Sequence, residues 1–304
     1  MYSRIPKLHE FAYKYASIGL LGSSIIWKFV RLFKTEKNGE KILLPSGFPL
    51  IIDNKDWIAR TIYEGTYERP LLNFLTRLSA KNLFLDVGAN IGVTLWNGLL
   101  RSDPTTTYVA VEPSEQCQAG LDFTTQHLNR SGRILKVALG DKSEEKVMHG
   151  LNNLEQSGGA SLLANKGLRG DEEIVQVRTV DELILEGEIS QPIFLLKIDT
   201  EGYEKNVLAG SSELISRFEV CIFILEVSPS FCSTDWVLDL YNKIESHYSF
   251  YRLIEKGIFR QKTRIQEIGI DEALQIPDQW NLVILHNNFF QHTIEVLKIK
   301  REEK

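Results

Sequence analysis

Leu83-Phe-Leu-Asp-Val-Gly-Ala-Asn-Ile-Gly92 is the stretch on which the reading of this chain turns. Leu83 to Val87 is an apolar run of strand length that breaks at Gly88. From Gly92 a helix is predicted over Val93 to Leu100, with Val93, Trp96, Leu99 and Leu100 at helical spacing. A strand that turns through glycines into a helix gathers backbone N–H groups and a positive helix end at one point, where a ligand can bind. A bare chain reversal would leave the same trace, so the neighbouring segments have to decide.

Downstream the chain alternates between strand and helix. Thr107 to Val111, Arg133 to Leu139, Ile193 to Ile198 and Val220 to Leu225 are apolar runs. Helical patterns lie around Cys117 to Leu128, after Glu204, and over Asp235 to Ser246. This alternation predicts an α/β fold with a doubly wound, mostly parallel sheet covered by helices on both faces. Phe250 to Ile254 and Asn281 to Leu285 supply two further strands. Upstream, Ile42 to Leu44 and Leu50 to Ile52 read as a hairpin, and Asp56 to Leu78 as helix interrupted at Gly65 and Pro70. The expected organisation is an N-terminal helical extension and linker (1–40), a main domain (41–290) carrying a hairpin insertion (142–181), and a charged tail (291–304).

Predicted core strands end in acids: Asp86, Glu112, Asp199 and Glu226. Ligands of open α/β sheets bind at that edge, and acids crowded there repel one another unless something binds among them. Glu112, one strand beyond the glycine turn, is placed to accept hydrogen bonds from the two hydroxyls of an adenosine ribose. The turn reads Gly88-Ala-Asn-Ile-Gly92 and lacks the second glycine that lets backbone approach a pyrophosphate. An adenosine without pyrophosphate follows, as in S-adenosylmethionine, whose charged amino group Asp86 could take directly or through water.

Asp86-Val-Gly-Ala-Asn-Ile-Gly92, Glu112-Pro113, Val137-Ala-Leu-Gly-Asp141, Thr179-Val-Asp-Glu-Leu183 and Lys197-Ile-Asp-Thr-Glu-Gly-Tyr-Glu204 together resemble the FkbM family of S-adenosylmethionine-dependent methyltransferases. The resemblance covers roughly 51–225 and extends to Gly65-Thr-Tyr-Glu68, ahead of the first core strand. It implies the Rossmann-like class I methyltransferase fold, a seven-stranded sheet with an antiparallel last strand. It also implies O-methylation of a hydroxyl on a saccharide, glycan or natural product. The cofactor site expected from turn, strand ends and resemblance comprises Tyr67, Glu68, Asp86, Gly88, Asn90, Gly92, Glu112, Pro113, Ala138 and Leu139.

Methyl transfer is an in-line displacement, so a carboxylate near the acceptor hydroxyl is needed to take its proton. Asp199 and Glu201 are the first candidates and Glu226 the third, although Asp199 and Glu201 could instead cap the following helix. Lys197, inside an apolar strand, needs a carboxylate partner. The same carboxylates would suit Mg2+ as oxygen ligands, but no metal site is assigned, and the scattered histidines argue against zinc. An NAD-dependent oxidoreductase and an adenosine-binding protein without catalysis are the rival readings.

Bulk properties suit a globular protein with one large domain or a domain plus an appendage. The 304 residues are 43% hydrophobic, enough for a large core, and the net charge of -5 gives no basic footprint for nucleic acid. Cys117, Cys221 and Cys232 form no metal-type cluster, and their odd number suggests no disulfide framework, which points to a reducing, cytoplasmic setting. Ala16 to Trp27, flanked by basic residues, is too short to span a bilayer. Residues 14–33 are expected to form an amphipathic helix that packs on the domain, on a second copy in a homo-oligomer, or on a membrane surface.

Overall fold

The computed structural model describes residues 7–17, 37–53, 55–79, 81–151, 160–163, 170–190, 192–229, 232–256 and 262–288. The expected amphipathic helix over 14–33 therefore lies almost wholly outside the described residues. What is described there is a helix, Lys7–Ser17, followed by a small hairpin of β1 (Lys41–Leu43) and β2 (Pro49–Ile51). Helices Trp57–Tyr63 and Arg69–Leu75 come next. They part at Gly65, whereas Pro70 lies in the first turn of the second helix and helps to start it, having no N–H to lose there.

The remaining strands are β3 (Leu83–Val87), β4 (Thr107–Val111), β5 (Gly132–Leu135), β6 (Ala138–Leu139), β7 (Glu144–Leu151), β8 (Asp171–Arg178) and β9 (Ile193–Ile198). They are followed by β10 (Val220–Val227), β11 (Tyr248–Lys256), β12 (Lys262–Glu267) and β13 (Trp280–His286). The main sheet has the order β12-β11-β13-β10-β9-β3-β4-β5. Strands β5, β4, β3, β9 and β10 are parallel, and β13 is antiparallel to both its neighbours.

Eight strands stand where seven were expected. The additional one is β12, an antiparallel partner of β11 at the sheet edge. Its sequence, KTRIQE, carries no apolar run; Thr263 and Ile265 turn inward, so it lacks the signature of a covered strand. The expected single strand Arg133 to Leu139 is likewise divided. Strand β5 closes the main sheet, while β6 pairs with β8 in a second, three-stranded sheet of order β6-β8-β7. A continuous apolar run does not show a change of sheet.

Both faces of the main sheet are covered. Leu83, Leu85 and Val87 of β3 pack into one core with Leu196 and Ile198, while Phe84 packs on the other side with Leu95 and Leu195. All six residues of β9 are buried, as its near-continuous apolar sequence requires. Strand β3 has β4 on one side and β9 on the other, so the strand order reverses between β3 and β9. That crevice is where open α/β sheets hold their ligands. Across it the register sets Val87 beside Val111 and Ile198, and Ile198 beside Leu225. The residues that follow these strand positions are thereby brought to one edge. Among the described residues, no helix is long and apolar enough to cross a membrane.

Candidate functional site

Gly88 lets the two central strands converge. Its φ is +76°, and a Cβ there would stand 1.8 Å from the carbonyl oxygen of Asp199. No side chain fits. Gly92, at φ +83°, packs instead against the helix Glu115–His127, where a Cβ would meet Thr124 at 2.9 Å. It shapes the turn without lining the cavity beside it.

Every N–H group of the turn is committed internally. Those of Gly88 and Ala89 go to the Val111 carbonyl, and that of Gly92 to Ala89. Asn90 N–H donates to Glu112 Oε2 at 2.9 Å, and Ile91 N–H to Asn90 Oδ1 at 2.8 Å. A pyrophosphate is cradled by unused backbone N–H groups at such a turn. Here none is left over.

The cavity occupies about 880 Å³, its open mouth included. Tyr67, Gly88, Asn90, Glu112 and Pro113 line one part; Ala138, Leu139, Asp199 and Glu201 line another. Met148, Ala160 and Leu162 of the inserted region add an apolar wall. Sequence reasoning gave no sign of this wall, because apolar residues in a segment punctuated by glycines carry no period.

Glu112 is 5% exposed. Its Oε2 accepts from Asn90 N–H and its Oε1 from Ser114 N–H at 3.0 Å. A carboxylate oxygen has two lone pairs, so each keeps one for a ligand hydroxyl. Burial pushes the Glu112 carboxyl up to about 7, against the two backbone hydrogen bonds and the pull of Lys197. Ser114 holds the cap position of the helix Glu115–His127 but makes no side-chain cap bond.

Asp86 does not line the cavity, so it is not placed for the direct contact expected with the cofactor's amino group. It is fully buried; Oδ2 accepts from Thr94 Oγ1 at 2.7 Å, and Oδ1 lies 3.4 Å from Lys197 Nζ. As a residue inside the strand, its side chain faces the helix Val93–Leu99 and not the strand end. Lys197 finds a second carboxylate, Asp199 Oδ2 at 3.1 Å, and donates to the Gly88 carbonyl at 3.2 Å. Burial opposes its charge, yet Asp199 and Asp86 hold its pKa above the ordinary ammonium range.

Beyond Lys197 the acids gather. Asp199, Glu201 and Glu226 present carboxylate oxygens all within 4.8 Å of one another. Glu226 lies just outside the cavity wall, its carboxylate accepting from Gln279 Nε2 and, at 3.2 Å, from Ser228 Oγ. Glu68 also lies outside the wall and accepts from Asn281 Nδ2 at 2.9 Å. Burial first, and then Asp199 and the neighbouring carboxylates, hold Glu201 and Glu226 well above the usual carboxylate range; Glu68 is raised by burial and Asp199. Tyr67 is pushed well up by burial and by the same acids. Glu68, Asn90 and Glu201 have φ of 38°, 50° and 54°. Left-handed backbone at non-glycine residues stores strain; these three stand at or beside the cavity, while Asn82, Asn129 and Phe218 carry it elsewhere.

Capping does not account for Asp199 or Glu201. The Thr200 and Gly202 N–H groups go to Glu204 Oε1, at 2.8 and 3.1 Å. The sequence marks Glu204 as the end of the Lys197–Glu204 block and Asn281 as the start of a late strand, but gives neither these partners nor that of Gln279.

Strand order, switch-point cavity and the strand-end carboxylate beside a glycine turn define the class I methyltransferase fold. The sequence profile described as the methyltransferase FkbM domain matches residues 86–260, more than half of the chain, and the chain belongs to that family. Solved structures similar to it include the FkbM methyltransferase from Methylobacillus flagellatus KT, with 17% identity and a TM-score of 0.40; the match covers 77% of this chain and 56% of that one. An rRNA methylase from Streptococcus thermophilus matches with 10% identity and a TM-score of 0.38, covering 71% of this chain and 93% of its own. A protein classed as a methyltransferase and solved with SAH matches with 10% identity and a TM-score of 0.42, covering 83% and 57%. The chain thus spans little more than half the length of the Methylobacillus structure. No curated protein matches it.

Proposed function

We propose that the cavity binds S-adenosylmethionine and that the chain methylates a hydroxyl of a saccharide, glycan or natural product. The observation that carries this reading is Glu112: a buried carboxylate at a strand end, each oxygen holding one backbone N–H and keeping a lone pair for a hydroxyl of the ribose. The committed N–H groups of the turn favour an adenosine cofactor over a dinucleotide, because an NAD pyrophosphate would find no donors there.

When bound, S-adenosylmethionine supplies a methyl group on a positively charged sulfur. Glu201 is the residue we assign as base. It lines the cavity and is not engaged in capping, and its raised pKa makes it a stronger proton acceptor than an ordinary carboxylate. Glu201 would accept the proton of the acceptor hydroxyl as its oxygen takes the methyl group that the cofactor would supply. Asp199 sustains the basicity of Glu201 by repulsion. Glu226 and Glu68 stand behind them, each with an amide neighbour.

Asp199, Glu201 and Glu226 could in principle ligate a hard divalent cation. Two facts favour a metal-free reading: Asp199 is already paired with an ammonium, and Glu226 is already hydrogen-bonded by Gln279 and Ser228. The acidic wall also bears on the acceptor. It repels phosphates and carboxylates and suits neutral polyols, whose hydroxyls donate to carboxylates. Labelled methyl transfer to a panel of neutral sugars, sugar phosphates and glycosides tests the reading. Incorporation into neutral hydroxylated acceptors is expected; incorporation confined to anionic ones would overturn the acceptor assignment. A binding protein without catalysis would show cofactor binding and no transfer to any member of the panel.

A further inference from the structure

We infer that Ser161 is a positioning residue for Glu201, and that the short segment 160–163 links the wall of the cofactor cavity to the carboxylate assigned as base. The inference rests on the reading of the cavity and of Glu201 given above.

Ser161 is 3% exposed and belongs to the inserted region. Its backbone is fixed by a two-way bridge to His149: the His149 N–H donates to Ser161 O at 2.9 Å, and the Ser161 N–H to His149 O at 3.0 Å. Its hydroxyl donates to the carbonyl of Glu201 at 2.9 Å and accepts from the Leu163 N–H at 3.1 Å. Ala160 and Leu162, on either side, line the cavity. Contact with the cavity, through Ala160 and Leu162, and contact with Glu201, through Ser161, thus fall to successive residues of one segment.

Glu201 is where such a hold has most effect. Its φ of 54° is left-handed, and Gly202 follows at φ 97°. A non-glycine residue persists there only when its surroundings over-determine it. From within the same turn, Glu204 ties the Thr200 and Gly202 N–H groups. From outside the turn, Ser161 ties the Glu201 carbonyl. The inserted region therefore contributes to the backbone geometry that aims the Glu201 carboxylate. A ligand packed against Ala160 and Leu162 steadies the segment that carries Ser161, and so steadies the base when the cofactor is in place.

Hydrogen exchange read by mass spectrometry on the full chain, with S-adenosylhomocysteine as probe, tests this. For Ser161→Ala without ligand, exchange over 199–204 is expected to rise about tenfold, the effect of losing one buried hydrogen bond, while the strand peptide 193–198 keeps its wild-type protection. Saturating S-adenosylhomocysteine slows exchange at 199–204 in the wild type and does so less in Ser161→Ala. Ser161→Thr keeps a hydroxyl and restores both behaviours. Wild-type exchange at 199–204 in Ser161→Ala would overturn the inference. So would a rise shared equally by 193–198, which marks general destabilisation, or a failure of Ser161→Thr to restore. Should the wild type not bind S-adenosylhomocysteine, the cofactor reading fails, while the ligand-free arm still decides the role of Ser161.

Discussion

Lys197 Nζ lies 3.1 Å from Asp199 Oδ2, on a strand whose every residue is buried. The same ammonium stands 3.4 Å from Asp86. One cation thus serves a carboxylate inside the core and another at the cavity, and the end of β9 is anchored to the end of β3. Lys197→Met removes it and leaves Asp86 buried without compensation. Urea unfolding should show a loss of about 3–5 kcal/mol, as when one partner of a buried ion pair is deleted. The double variant Lys197→Met/Asp86→Asn should recover part of that loss, because the uncompensated charge goes with it.

Glu112 should give cofactor binding a pH dependence. Burial pushes its carboxyl up to about 7 in the ligand-free protein. A folded pKa above the unfolded one means that the ligand-free protein draws stability from the protonated form. This contribution is complete below the ordinary carboxylate pKa and is lost as pH rises through about 7. Ribose hydroxyls donate to the ionised form, so binding should release a proton at pH 6 to 7, roughly, and affinity for S-adenosylhomocysteine should weaken as pH falls. Calorimetry in buffers of different ionisation enthalpy reads the proton directly; in Glu112→Gln the release should vanish.

Gly88→Ala tests the convergence of the central strands. A Cβ 1.8 Å from the Asp199 carbonyl oxygen cannot be accommodated without moving β9 away from β3. The expected cost is about 3 kcal/mol or more, with loss of S-adenosylhomocysteine binding in whatever folds. A variant with wild-type stability and binding would show that the two strand ends do not meet as described.

Glu201→Gln separates binding from chemistry. Removing a general base should lower transfer to the best neutral acceptor by about a hundredfold to ten-thousandfold, with cofactor affinity unchanged within about threefold. Transfer at the wild-type rate would move the base assignment to Asp199. Addition of a chelator should leave the wild-type rate unchanged, and a loss restored by Mg2+ would return the three carboxylates to the role of metal ligands.

Much of the fold could be read from the chain, because a parallel sheet buried on both faces writes its strands as apolar runs, as in Ile193 to Ile198. The candidate site was legible where chemistry falls at strand ends: Glu112, Asp199 and Glu201 all line the cavity. Asp86 was misplaced because one residue of strand parity decides whether a side chain meets a helix or a ligand. Lys262–Glu267 was missed because an edge strand buries only alternate residues. Ser161, Gln279 and Asn281 could not be found at all. Each is an ordinary polar residue whose partner lies 40 to 213 positions away, at Glu201, Glu226 and Glu68 respectively. Only the folded chain creates those pairs.

The most direct measurement is a calorimetric titration of S-adenosylhomocysteine and of NAD into the wild type and Glu112→Ala. The account predicts saturable binding of S-adenosylhomocysteine to the wild type, no binding of NAD, and a loss of about a hundredfold or more in Glu112→Ala, as expected when a buried charged acceptor of ligand hydroxyls is removed. Saturable NAD binding without a response to S-adenosylhomocysteine, or undiminished S-adenosylhomocysteine binding to Glu112→Ala, would contradict it.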